Sequence, residues 1–396
     1  MFASKTFIAG LAVATAVALP AMADTIKIGA PLALTGGLAD EGKKQEIVYQ
    51  MWLDKVNADG GLMVGGKKMP VEIIKYDYQT DGKRAGQMTE KLVTDDKVDF
   101  IMAPFGSGHT KIAAAVAERY ETPIVACVSS SLSVYNQGHK NLFGTLAPNT
   151  GLIDTMITYL KDQNADMKKV AILGRDDVFP RSMAKALGGA APKFGLEVVY
   201  DELYAVGTLD HSASLSKIKS AAPDWIYVTG YTQDLILARK QMADLGVHAP
   251  VVTMVTGPAY KEFVEGLGEL AEGVTSNTWW HHATAYDGIG AWPTTADFYK
   301  EFVEANGSDP DYVHASCAAG LVTLGAAIEA AGSTDKAAVR DALAATDINT
   351  FYGPIKFSDN GMNEVRDLPI IQVQSGAIKV LHPADIKNTD FMAVPK

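Results

Sequence analysis

Residues 225–246 read WIYVTGYTQDLILARKQMADLG. The first five, Trp225–Thr229, form an unbroken β-prone run, as suits a strand covered on both faces. After Gly230 and Tyr231 the period changes. From Gln233 onward Leu235, Ala238, Met242 and Leu245 fall on one helical stripe, and Gly246 stands where a helix C-cap belongs. Strand, tight turn and helix make half of a βαβ unit. The same alternation extends in both directions, with strands read at Thr25–Ala30, Val71–Tyr76, Val98–Ala103, Pro123–Val128, Val170–Leu173, Glu197–Tyr200 and Val251–Val255. A second helical stripe, Ile112, Val116 and Tyr120, lies in Thr110–Tyr120. Apolar strands separated by helices predict an α/β protein built on parallel sheets.

These strands outnumber those of one average sheet. A break at Ala147-Pro148-Asn149-Thr150 divides them into two α/β halves, the second ending near Trp279–Tyr286. A helical region, Thr295–Ala345, follows, and then β-like segments at Tyr352–Phe357 and Ile370–Val380. If the chain returns to the first half and crosses again near Gly353, two doubly wound lobes share three hinge strands. The first lobe would comprise 24–148 plus 283–352, and the second 149–282 plus 353–396.

The chain has 396 residues, 46 acidic against 35 basic, for a formal charge of −11, and 47% of its residues are hydrophobic. That is too apolar for a disordered chain, and the sign offers no footprint for a nucleic acid. Residues 1–23 carry Lys5, an apolar run from Phe7 to Leu19, then Pro20 and Ala21-Met22-Ala23: the order of a cleaved secretory signal. No later stretch reads as a membrane span, so the expected product is soluble and periplasmic. Cys127 and Cys317 both sit in apolar runs and read as two buried free thiols, with a disulfide between them as the alternative in an oxidising compartment.

In open parallel sheets a ligand lies beyond the carboxyl ends of the strands. Those ends here are Pro104–Thr110, Ser129-Ser130-Ser131, Gly174–Phe179, Gly230-Tyr231-Thr232 and Thr256-Gly257. The first two are rich in hydroxyls and glycine, and at a helix N-terminus such loops suit an anion such as a carboxylate. The aromatic patch Trp279-Trp280 with Tyr286 and Trp292 falls where the chain crosses between lobes, and Trp280 is taken as its ligand-facing member. Enzymatic readings fail. Phe105-Gly106-Ser107-Gly108 lacks the first glycine of a nucleophile elbow, and His109 is too close in sequence to serve it as base. Adjacent His281 and His282 would point to opposite faces of a strand, and the other histidines lack i,i+4 spacing, so neither a metal nor another cofactor is expected. The cluster Asp59–Lys67 is a hairpin or turn, since it lacks the spacing of a P-loop.

In order and local detail the chain resembles the Leu/Ile/Val-binding proteins of bacterial ABC importers. The likeness runs through Ile26–Ala30 with Thr35-Gly36, Asn57–Gly61 to Lys75-Tyr76-Asp77, and Phe105-Gly106-Ser107. It continues through Thr122–Val125, Tyr227 to Tyr231 and Tyr352–Phe357. The resemblance implies the type I periplasmic binding fold, closure of two lobes on a small ligand, and an ABC permease of the inner membrane as partner to a monomeric receptor. A ligand-sensing receptor is the alternative. By residue it implies carboxylate contacts from Ser107, Ser129 and Ser131, with Tyr231 and Phe179 closing from the second lobe. Two departures follow. The acidic residue that holds an amino acid's ammonium is absent from Thr253-Met254-Val255-Thr256, leaving Asp40 and Glu41 as possible substitutes, or a ligand without an amine. The first-lobe disulfide of some members cannot form, because Thr80 and Gly106 stand at its positions.

Overall fold

The computed structural model describes residues 25–149, 151–364 and 367–395; the expected leader, 1–23, lies outside them. The first lobe opens with β1 (Ile26–Leu32), α1 (Ala39–Ala58), the hairpin β2 (Leu62–Val64) and β3 (Lys67–Met69), and β4 (Val71–Asp77). There follow α2 (Gly82–Thr94), β5 (Phe100–Met102), α3 (Ser107–Arg119), β6 (Ile124–Ala126), the short α4 (Leu132–Tyr135) and β7 (Leu142–Gly144). Its five-stranded sheet is parallel in the order β4-β1-β5-β6-β7, so the order reverses between β1 and β5.

The second lobe runs through α5 (Gly151–Gln163), β8 (Lys169–Arg175), α6 (Val178–Ala190), β9 (Glu197–Tyr204), α7 (Ser212–Ala221) and β10 (Trp225–Thr229). It continues with α8 (Thr232–Asp244), β11 (Val251–Val255), α9 (Lys261–Leu267) and β12 (Thr275–Asn277). The chain then adds α10 (Thr295–Asn306), α11 (Tyr312–Ala331), α12 (Lys336–Ala344), β13 (Asp347–Thr350) and β14 (Gly353–Lys356), and ends in β15 (Ile370–Gln374) and β16 (Ala377–His382). The second sheet has the order β16-β15-β12-β11-β10-β8-β9 and reverses between β8 and β10. Its last two strands are antiparallel. Strands β10 and β11 have the bounds read from sequence, because uninterrupted apolar runs fill a sheet centre.

Three expectations need correction. The third crossing comes later than Gly353. Strand β14 pairs with β13, Met362 bridges Gly144, and Asn363 Nδ2 donates to Thr145 O at 2.9 Å, so this stretch stays on the first lobe and Ile370 opens the strand in the second sheet. Next, α11 is long and apolar enough to cross a membrane by length and composition, yet it is mostly buried as the central helix of the first lobe. It packs on α1, where Gly325 lets it approach Trp52, and on the sheet, where Gly320 lets it approach Met102 of β5. Finally, Cys127 and Cys317 are not free. The helix brings Cys317 against the end of β6, with 4.7 Å between Cα atoms, and the two form a disulfide.

Candidate functional site

Both sheet reversals face the same cleft, where open α/β sheets bind ligands. On the first lobe, Gly106 (φ +84°) turns the chain from β5 into α3, and only a residue without Cβ fits easily, since a Cβ there would lie 3.1 Å from Tyr231 Oη. Ser107, the first residue of α3, is buried. Its Oγ accepts from Ser129 Oγ and from Ser131 N–H, each at 3.3 Å. With both acceptor positions taken, the Ser107 proton remains to be donated. The Ser131 hydroxyl turns instead to Ser182 Oγ at 2.9 Å, which also accepts from Asn149 Nδ2 at 2.6 Å and donates to Phe179 O at 2.8 Å. Ser182 escaped the sequence reading because it lies within α6 rather than at a strand end.

Rings close the site. Phe179 and Tyr231 stack at 6.3 Å, and Phe105 meets Tyr231 edge-on at 5.8 Å. Trp279 leans on Phe179 at 6.0 Å and on Tyr312 at 5.1 Å. Together with Gly106, Ser107, Val128, Ser130, Leu146 and Thr256 these enclose a cavity of about 20 Å³, room for one water. Among the described residues its lining contains no Asp, Glu, Lys, Arg or His. Burial drives the Tyr231 phenol pKa far upward. Asp177 adds to this, while Arg175, 5.1 Å over the ring, opposes it, so the phenol stays protonated. Arg175 Nη1 donates to Asp234 at 2.6 Å, and the same carboxylate oxygen accepts Tyr231 N–H at 3.2 Å, which fixes the start of α8.

Ser107, Tyr231 and Phe179 line this cavity, and Ser129 and Ser131 are tied to Ser107 behind it while Ser130 faces it; three other sequence candidates lie elsewhere. Trp280 packs edge-on against Phe298 at 5.9 Å and lines a separate cavity of about 460 Å³ with His281 and His282. Its neighbour Trp279 takes the cleft position. Asp40 and Glu41, in the first turn of α1, do not line the cleft cavity. They reach the other lobe: Glu41 accepts from Thr232 Oγ1 at 2.8 Å and Asp40 from Gln233 Nε2 at 3.1 Å. Burial raises the Glu41 carboxyl, against Lys44 and Thr232, which lower it. One turn on, Lys44 lies between Glu262 of the second lobe (2.8 Å) and Asp311 of the first (2.7 Å), 3.9 Å over the Tyr260 ring. No local pattern in the sequence marks that triad.

The periplasmic binding protein family profile matches residues 25–377, most of the chain. The chain belongs to the periplasmic binding protein family. Within it the chain falls with the Leu/Ile/Val-binding proteins, as the resemblance implied. The leucine-, isoleucine-, valine-, threonine- and alanine-binding protein of Pseudomonas aeruginosa is 25% identical over 354 residues, 89% of this chain and 91% of that one. A branched-chain amino acid substrate-binding protein of Streptococcus pneumoniae, solved with isoleucine, superposes with a TM-score of 0.78 at 24% identity, covering 91% of this binding protein and all of its own chain (100%). An ABC transporter solute-binding protein of Rhodopseudomonas palustris, solved with benzoate, gives 0.76 at 20% identity, covering 94% and 98%.

Proposed function

We propose that this binding protein captures a small hydrophobic carboxylate that lacks an amine and delivers it, as a periplasmic monomer, to an ABC permease of the inner membrane. The observation that carries the reading is the uncharged cavity lining. The proton of Ser107, unused among the described residues, and the N-terminus of α3 favour a carboxylate. Phe179, Tyr231 and Trp279 offer flat apolar faces to the ligand body. Among the described residues the lining offers an ammonium no anion, and Glu41 and Asp40 are turned to Thr232 and Gln233 instead. Burying a charge without a partner is costly. Related folds are solved with isoleucine in one case and benzoate in another, so the scaffold admits either ligand class, and the charge of the cavity favours the second.

Titration calorimetry with matched pairs tests this: leucine against 4-methylpentanoate, phenylalanine against 3-phenylpropanoate, and benzoate alone. The amine-free member of a pair should bind about 30-fold more tightly or better, corresponding to roughly 2 kcal/mol or more. Tighter binding of the amino acids would overturn the reading, as would the failure of every carboxylate to bind.

A further inference from the structure

At the second-lobe side of the cavity, Thr256 has φ +74° and ψ −31°, outside the regions that β-branched residues ordinarily occupy. Two hydrogen bonds fix it there. Its N–H donates to Ser276 Oγ at 3.0 Å, and its carbonyl accepts from Ala259 N–H at 3.0 Å. Glycine would adopt this backbone without strain, yet the chain carries a threonine whose buried Oγ1 has no hydrogen-bond partner among the described residues. A strained backbone and an unmet buried hydroxyl at one residue of a cavity wall are two separate departures from a settled core. Beside it, Tyr312 accepts the Tyr260 hydroxyl at 2.6 Å, which leaves its own proton to be donated elsewhere. Thr256 and Tyr312 line the same cavity as Ser107, and Thr256 belongs to the lobe facing that serine.

We infer that Thr256, assisted by Tyr312, reads a second polar group on the ligand, so that the preferred acids carry a hydroxyl or oxo substituent. The inference rests on the carboxylate reading above and narrows it. A threonine hydroxyl both donates and accepts, and so serves an alcohol or a carbonyl, whereas it cannot neutralise an ammonium. The rival account is that Oγ1 only holds one water in the 20 Å³ space.

Calorimetry separates the two accounts. Affinities are measured for 4-methylpentanoate and 3-phenylpropanoate with their 2-hydroxy and 2-oxo analogues, and for benzoate with 4-hydroxybenzoate. Wild-type protein should favour a substituted member over its parent by about tenfold or more. Thr256→Ser should keep that ratio, and Thr256→Gly, compatible with the backbone, should bring it towards one. Tyr312→Phe leaves the Thr256 backbone alone and should lower the ratio for the oxo acids. Equal binding of substituted and parent acids by the wild type, as a held water predicts, overturns the inference, and so does a ratio that survives both Thr256→Gly and Tyr312→Phe. If parent acids bind but substitution is ignored, only this inference falls; if no carboxylate binds, the function proposed above falls with it.

Discussion

Ser107 holds two first-lobe loops together while keeping a proton for the proposed ligand. Its oxygen accepts Ser131 N–H and the Ser129 hydroxyl, and its proton is left over. Ser107→Ala therefore removes an acceptor from a buried N–H as well as the proposed ligand contact. Chemical denaturation should report a loss of about 1–3 kcal/mol, and the affinity for the carboxylate should fall by about tenfold to a hundredfold. An unchanged Kd in a folded variant would remove Ser107 from the site. The residue was legible because it lies just past the carboxyl end of a strand and begins a helix. The choice between Trp279 and Trp280 was not, since adjacent residues point to opposite sides and only the packing of Phe179 and Phe298 decides which one meets the cleft.

At the scale of elements, local periodicity revealed what is built locally. The βα alternation around 225–246 gave the strand ends, and with them the loops and helix starts that carry Ser107, Ser129, Ser131, Phe179, Tyr231 and Thr256. Contacts between distant elements left no such mark. The Cys127–Cys317 bridge closes 190 residues of sequence and depends on where α11 lands, and β14 stays with β13 although its own sequence suits either lobe. The Lys44 triad belongs to this class, joining α1 to α9 and to the start of α11. Lys44→Met would leave Glu262 and Asp311 without their cation, at a cost of about 3–5 kcal/mol. Burial by itself would raise the Asp311 carboxyl, but Lys44 and His314 hold it well below the usual carboxylate range. A carboxyl lowered on folding contributes stability that is complete above its unfolded pKa, about 4, and fades as pH falls through the folded value. Wild-type stability should thus drop more steeply below about pH 4 than that of Lys44→Met. Parallel acid limbs in denaturation would contradict this role for the pair.

For the whole molecule, a cavity of about 20 Å³ is too small for any organic acid, so a ligand must enter while the lobes stand apart. What holds them together is then part of the affinity. Glu41 to Thr232, Asp40 to Gln233, Lys44 to Glu262 and Ser131 to Ser182 all cross between the lobes. Thr232→Val is the cleanest probe. Glu41 keeps its burial on closure but loses its donor, a penalty that exists only when the lobes are shut. Closure should weaken by about 1–3 kcal/mol. Because observed affinity scales with the closed fraction, the apparent Kd should rise by about fivefold to a hundredfold, chiefly through faster release. Small-angle scattering should find the ligand-free variant more expanded than wild type, with saturating ligand bringing the two to equal radii. Equal radii and equal release rates would mean that closure does not depend on this contact, whereas a slower release would mean that Glu41 opposes it.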